Sequence, residues 1–189
     1  MRRLLLIVSL LLLGTPVLPQ SPSVVGTAVP ETVLADGRSL PEVAGGRPIV
    51  VLFWASWCPY CKALMPHLQS MLDEYTPERL EVLAISFRED DPDDARKLID
   101  AQGYDFITEF SGDALAARWG ATGTPRVYLV GPDGTLLYDL QAHESEPFRR
   151  YLTAASGHSG RAARSAPHRA AQLRQAIDAA LTTEEAASP

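Results

Sequence analysis

Eight consecutive residues, Pro48-Ile49-Val50-Val51-Leu52-Phe53-Trp54-Ala55, contain no polar side chain and run straight into Ser56-Trp57-Cys58-Pro59-Tyr60-Cys61. A run of this length without alternation, rich in β-branched and aromatic residues, fits a strand covered on both faces, and such a strand needs helices on both sides of its sheet. It ends at the only two cysteines in 189 residues. From Pro59 onward Ala63, Leu64, Met65, Leu68, Met71 and Leu72 recur at helical spacing, so the pair sits on the first turn of a helix. Pro66 falls inside that helix and is expected to kink it.

The rest of the chain continues the alternation. Leu80–Phe87 reads as a second strand and Asp91–Gln102 as a helix with acids in its first turn and Gly103 as its stop. Asp113–Trp119, closed by Gly120, is a further short helix, and Arg126–Val130, the Gly131-Pro132-Asp133-Gly134 turn and Thr135–Leu140 form a hairpin. Strand, helix, strand, helix, hairpin defines an α/β fold with a central mixed sheet flanked by helices. The domain is expected over 30–182, with a short hairpin at Glu31–Arg38 and a last helix from about His168 to Leu181. Residues 21–29 read as a leader, 155–167 as a basic, loop-like insertion, and 183–189 as a flexible tail.

Residues 1–20 stand apart. Arg2 and Arg3 precede a Leu4–Leu13 run broken only by Ser9, the pattern of a secretory signal peptide. Its ten positions fall short of the roughly 20 that span a bilayer, although an uncleaved N-terminal anchor in the inner membrane is the competing reading. Either implies an exported, periplasmic or extracytoplasmic protein in an oxidising compartment. Without residues 1–20 the chain carries 15 Lys+Arg against 23 Asp+Glu, a formal charge of −8, which argues against nucleic acid as a partner.

Two cysteines three apart can be a structural staple, part of a metal site or an exchanging pair. A bridge between near neighbours closes so small a loop that it removes little unfolded-state entropy, so stapling is a weak reason for it. Zinc needs further ligands, and no second CxxC or His spacing supplies them; copper(I) held by two thiolates stays open. For exchange the location is favourable, because unpaired N–H groups and the dipole at a helix start stabilise a thiolate. Cys58 is then the exposed attacking sulfur and Cys61, one turn on, the resolving one. Pro59 fits the first helical turn, where a missing N–H costs nothing.

The VVLFWASWCPYC entry, Pro66, the Trp119-Gly120-Ala121-Thr122-Gly123-Thr124-Pro125 segment ahead of a strand and the Leu129–Gly134 hairpin occur in one order. Together they resemble the thioredoxin superfamily, and more closely its exported TlpA/ResA/CcmG-like thiol–disulfide oxidoreductases. That resemblance implies a thioredoxin-like fold, a redox-active Cys58–Cys61 disulfide with no other cofactor and no metal, and a cis-proline at Pro125. It places the backbone of Thr124 beside the sulfurs, and Trp57, Pro59 and Tyr60 as support around them; a purely hydrophobic-core role is the alternative for Trp57. It implies protein thiols and disulfides as partners, reductant chemistry in cytochrome c maturation or general disulfide reduction, and re-reduction by a membrane electron donor of the DsbD type. A disulfide oxidase or isomerase, and a non-enzymatic copper(I) chaperone, are the competing functions.

Three departures accompany the resemblance. Where relatives carry an acid near the inner thiol, this chain has Leu52 and Leu64, and between the cysteines it has Pro-Tyr rather than a second-position proline. No Pro-x-x-x-Thr-x-x-Cys lies upstream of Cys58, which disfavours a peroxiredoxin. Arg126, directly after Pro125, is either a determinant of partner choice or a solvated charge.

Overall fold

In a computed structural model describing residues 24–153 and 157–187, the elements are α1 (Leu40–Ala44), β1 (Ile49–Trp54), α2 (Pro59–Tyr75), β2 (Glu81–Ser86), α3 (Pro92–Gln102), β3 (Ile107–Glu109), α4 (Asp113–Arg118), β4 (Arg126–Val130), β5 (Leu136–Asp139), α5 (Glu146–Thr153) and α6 (His158–Ala187). The apolar run is β1, and all six of its residues are buried. It lies in the middle of a five-stranded sheet ordered β3-β2-β1-β4-β5. β1 pairs in parallel with β2 and antiparallel with β4; β3 and β5 extend the two sides, parallel and antiparallel respectively.

Successive strand side chains point to opposite faces, so β1 feeds two cores. Val50, Leu52 and Trp54 pack with Leu64, Leu68 and Met71 of α2, Ala95 and Ile99 of α3, and Leu173, Ile177 and Leu181 of α6. Ile49, Val51 and Phe53 pack on the other side with Val43 of α1, Leu115 of α4, Trp119 and Tyr128. The parallel β1–β2 pair brings Trp54 level with Ser86, so the loops that leave both strands emerge side by side. In sheets of this kind such a strand-end crevice is where sites form.

Several expectations are corrected. The segment read as a loop at 155–167 is helical from His158 onward, and the last helix therefore begins ten residues earlier than expected and runs to Ala187, through most of the supposed tail. Its inward positions there are small, with Ala162, Ser165 and Ala166 buried, so packing on α2 and α5 rather than bulk apolar periodicity holds it, and Pro167 is accommodated within it. Residues 24–29 are not a free leader: Gly26 N–H donates to Leu136 O (2.8 Å), Leu136 N–H to Thr27 O (2.8 Å) and Val29 N–H to Gly134 O (2.9 Å), against the outer edge of β5. The hairpin expected at Glu31–Arg38 is a tight turn with a single bridge, Val33 to Ser39. It leads into α1, which Ser39 and Glu42 start with a reciprocal capping box. The N-terminal expectations for residues 1–20 lie outside the described residues. No helix among the described residues is long and apolar enough to cross a membrane.

Candidate active site

Cys58 is the N-cap of α2, in extended conformation, with Pro59 at the first helical position. Its Sγ turns back over the helix start and accepts from Cys61 N–H at 3.2 Å. Both cysteines are free thiols. Cys61 is fully buried, and Cys58 is only 2% exposed, so the expectation of an exposed attacking sulfur is corrected. Its fold back onto the donors of its own helix accompanies that burial.

Those donors also set the electrostatics. The Cys61 thiol, bonding to Cys58, is the main influence lowering Cys58 from 9.0 to about 6, helped by the Thr124 side chain and the N–H groups of Cys61 and Tyr60 against the opposing effect of burial. Cys61 moves the other way: burial first, then the neighbouring Cys58, push its thiol well above its ordinary value. The outer sulfur is thus a thiolate at neutral pH and the inner one a thiol poised as its donor. Leu52 and Leu64, where relatives carry acids, are both fully buried, so neither position offers a carboxylate to accept the Cys61 proton.

Opposite the cysteines the Thr124–Pro125 peptide is cis. The Thr124 side chain adds a smaller lowering influence on both thiols. Beside it a groove of about 340 Å³ is walled by Tyr60, Gly123, Thr124, Pro125, Leu152 and Arg169. Gln141 fixes the floor, donating from Nε2 to Pro125 O (2.9 Å) and accepting through Oε1 from Val127 N–H (3.0 Å). Tyr60, between the cysteines, accepts through its hydroxyl from Arg161 Nε (3.2 Å), and the Arg169 guanidinium lies 5.5 Å from its ring centre. A larger cavity, about 850 Å³, lies between the β4–β5 hairpin and α6, with none of Tyr60, Thr124, Pro125 or the cysteines in its walls.

Trp57 is 53% exposed, which removes the core role considered for it. Its Nε1 donates to Arg88 O (2.8 Å), and Glu89 accepts from Ser56 N–H (2.7 Å) and Ser56 Oγ–H (2.6 Å). Arg88, in left-handed conformation (φ 56°), donates from Nη1 to Thr122 O (2.8 Å) and from its N–H to Asp113 (3.1 Å). The loop after β2 therefore ties the segment before Cys58 to the segment before Pro125. Sequence reasoning missed Arg88, Glu89 and Gln141; adjacency of parallel strand ends is the signal that could have found the first two. Arg126 is not a freely solvated charge: it lines the same groove, part-buried, where it pairs with the buried Asp139 (2.5 Å) and donates from Nε to Tyr128 OH (2.9 Å). Among the described residues no group of three or more His, Cys, Asp or Glu is arranged to hold a metal ion.

Fold and site together define a thioredoxin-like protein with a CxxC at a helix start facing a cis-proline. The chain belongs to the AhpC/TSA family, whose model matches residues 25–139. It is 35% identical over 95 residues to the thiol:disulfide interchange protein CycY of Rhizobium leguminosarum bv. viciae, covering 49% of each chain. It is 24% identical over 111 residues to the thiol-disulfide oxidoreductase ResA of Bacillus thuringiensis subsp. konkukian, covering 57% of this chain and 62% of that one. The chain thus matches about half to three-fifths of the length of these curated relatives. Among solved structures, a thioredoxin-family thiol:disulfide interchange protein from Chlorobium tepidum superposes with a TM-score of 0.55 at 15% identity, over 86% of this chain and 98% of that one, a likeness of fold.

Proposed function

We propose that this chain is a thiol–disulfide oxidoreductase that works outside the cytoplasm as a protein reductant. The carrying observation is the opposed pair of thiols: Cys58 at the N-cap of α2 accepts from Cys61 N–H at 3.2 Å and is lowered to about 6, chiefly by the Cys61 thiol, while burial keeps the proton on Cys61. The Cys58 thiolate attacks one sulfur of a partner disulfide, forming a Cys58–partner bond while the other partner sulfur leaves as a thiolate and takes up a proton. Cys61 then loses its proton and attacks Cys58 Sγ, releasing the second partner thiol and leaving a Cys58–Cys61 disulfide. Two electrons pass from the dithiol to the partner. Trp57, Pro59, Tyr60, Thr124 and Pro125 form the surface on which an extended partner segment lies.

The direction rests on the degree of thiolate stabilisation. A value of about 6 is nearer to thioredoxin's roughly 7 than to DsbA's roughly 3.5, and the less the outer thiolate is favoured, the less oxidising the disulfide. Turnover requires re-reduction by a membrane dithiol donor of the DsbD type, since the compartment is oxidising. Protein disulfides in general, or a disulfide formed between the thiols of apocytochrome c, are the target classes consistent with family analogy. The deciding measurement is the reduction potential of the Cys58–Cys61 couple by equilibration with glutathione or thioredoxin. A value toward about −270 mV supports the reductant, and one near about −120 mV assigns an oxidase instead. Cys58→Ala is expected to abolish insulin reduction; stoichiometric copper(I) uptake without any disulfide turnover by the intact protein would replace the proposal with a chaperone.

A further inference from the structure

The charge of this chain is unevenly placed. Residues 144–177 hold six arginines and two acids, a net +4, whereas the other residues from 21 onward hold nine Lys+Arg and 21 Asp+Glu, a net −12. The fold brings part of that stretch to one wall of the groove beside Thr124 and Pro125, where Leu152 and Arg169 line it and Arg161 bonds to Tyr60 between the two cysteines, while Arg174 pairs instead with Glu74 of α2. Arg169 is buried and neutralised by Glu144 (2.5 Å), so it serves the wall itself. Arg161, Arg164 and His168 are three and four residues apart and so share one side of α6; Arg164 and His168 on that side are exposed.

Exposed aromatics flank the site in the chain. Of the aromatic side chains among the described residues, Trp57 and Tyr151 are each 53% exposed, one beside Cys58 and the other beside Leu152. Exposed aromatics with arginines are the composition of protein-binding surfaces.

From this placement we infer that the α5–α6 wall is a docking surface for an acidic polypeptide segment flanking the reactive cysteine of the partner protein. The inference rests on the exchange chemistry proposed above and adds its substrate class. A polypeptide is favoured over a lipid surface because the basic side chains adjoin the groove formed by Tyr60, Thr124 and Pro125, while the remaining net −12 repels an anionic membrane. Rim charges of this kind act on encounter and on discrimination between partners more than on the chemistry.

The test uses three disulfide-bonded peptides identical except for three flanking residues, all Glu, all Gln or all Lys, reduced by the dithiol form of the full chain. At low ionic strength kcat/KM is expected to be about tenfold higher for the Glu peptide than for the Lys peptide, each exposed contact contributing about two- to fivefold, and the gap closes as salt rises. Arg164→Glu is expected to shrink the Glu-to-Lys ratio at least threefold, whereas Arg96→Glu on α3, the same change in net charge away from the groove, leaves the ratio as it was. Equal rates for the Glu and Lys peptides with the Gln peptide still reduced overturn the docking surface and leave the exchange reading standing. If none of the three is reduced, the exchange reading fails and the inference with it. Arg164-dependent sedimentation with phosphatidylglycerol vesicles, alongside equal peptide rates, would assign the wall to a membrane instead and overturn the inference.

Discussion

Removing the Cys61 thiol should release much of the stabilisation of its neighbour's thiolate. The bond from Cys61 is the largest influence on Cys58, which stands at about 6 rather than 9.0. A hydrogen bond to a charged acceptor contributes about 1.5–3 kcal/mol, and one pH unit corresponds to about 1.4 kcal/mol. Cys61→Ala is therefore expected to titrate Cys58 roughly one to two pH units higher, with the helix-start N–H groups and Thr124 retaining the rest of the shift. At pH 7 the thiolate fraction would fall from about nine-tenths to roughly one-tenth to one-half. Cys61→Ser keeps a hydroxyl donor in the same place and should stay within about half a unit of the parent. Thiolate absorbance near 240 nm and the pH dependence of iodoacetamide alkylation both read this out in the reduced protein. A titration unchanged in Cys61→Ala, or Cys61→Ser behaving like Cys61→Ala, would refute the bond from Cys61 as the cause.

Other outcomes follow from the same structure. The folded value of Cys58 is depressed, so its contribution to the stability of the reduced protein is complete above about pH 9 and is lost as pH falls through about 6; the urea-unfolding difference between reduced parent and Cys58→Ala should grow over that interval. Because burial raises Cys61, resolution of a Cys58 mixed disulfide should accelerate with pH above neutrality in stopped-flow traces, and a pH-independent rate would remove Cys61 deprotonation from that step. Glu89→Ala loses two bonds to Ser56 and should cost about 1.5–3 kcal/mol of unfolding free energy, with Glu89→Gln recovering part of it. A Cβ on Gly112 would come within 2.1 Å of Ile85 Cγ2, so Gly112→Ala should cost about 1–3 kcal/mol, and adding Ile85→Ala should give less than the sum of the two single changes.

What the sequence disclosed followed the strength of its local patterns. β1, α2, β2, α3 and the β4–β5 hairpin were each marked by an unbroken apolar run, a helical stripe or a Gly-Pro-Asp-Gly turn, and their ends moved by only a residue or two. β3 was missed because three residues with one fully buried side chain carry no period. The first turns of α6 were misread because their packing positions are Ala and Ser amid Gly160 and Pro167, and a neighbouring helix rather than the segment's own composition keeps them helical. At the site, the cysteines were legible from spacing, and the proline from the family resemblance. Arg88, Glu89 and Gln141 were not, since each acts through a backbone partner distant in sequence.

The pairing of residues 24–29 along β5 bears on how the chain can be shortened. β5 is the last strand of the sheet, and that stretch pairs with Leu136 at its start and with Gly134 and Thr135 just before it; without it these groups would add to an open template for strands of other chains. Any trimming that reached 24–29 would strip the start of that sheet margin and make self-association, rather than loss of cysteine chemistry, its first symptom.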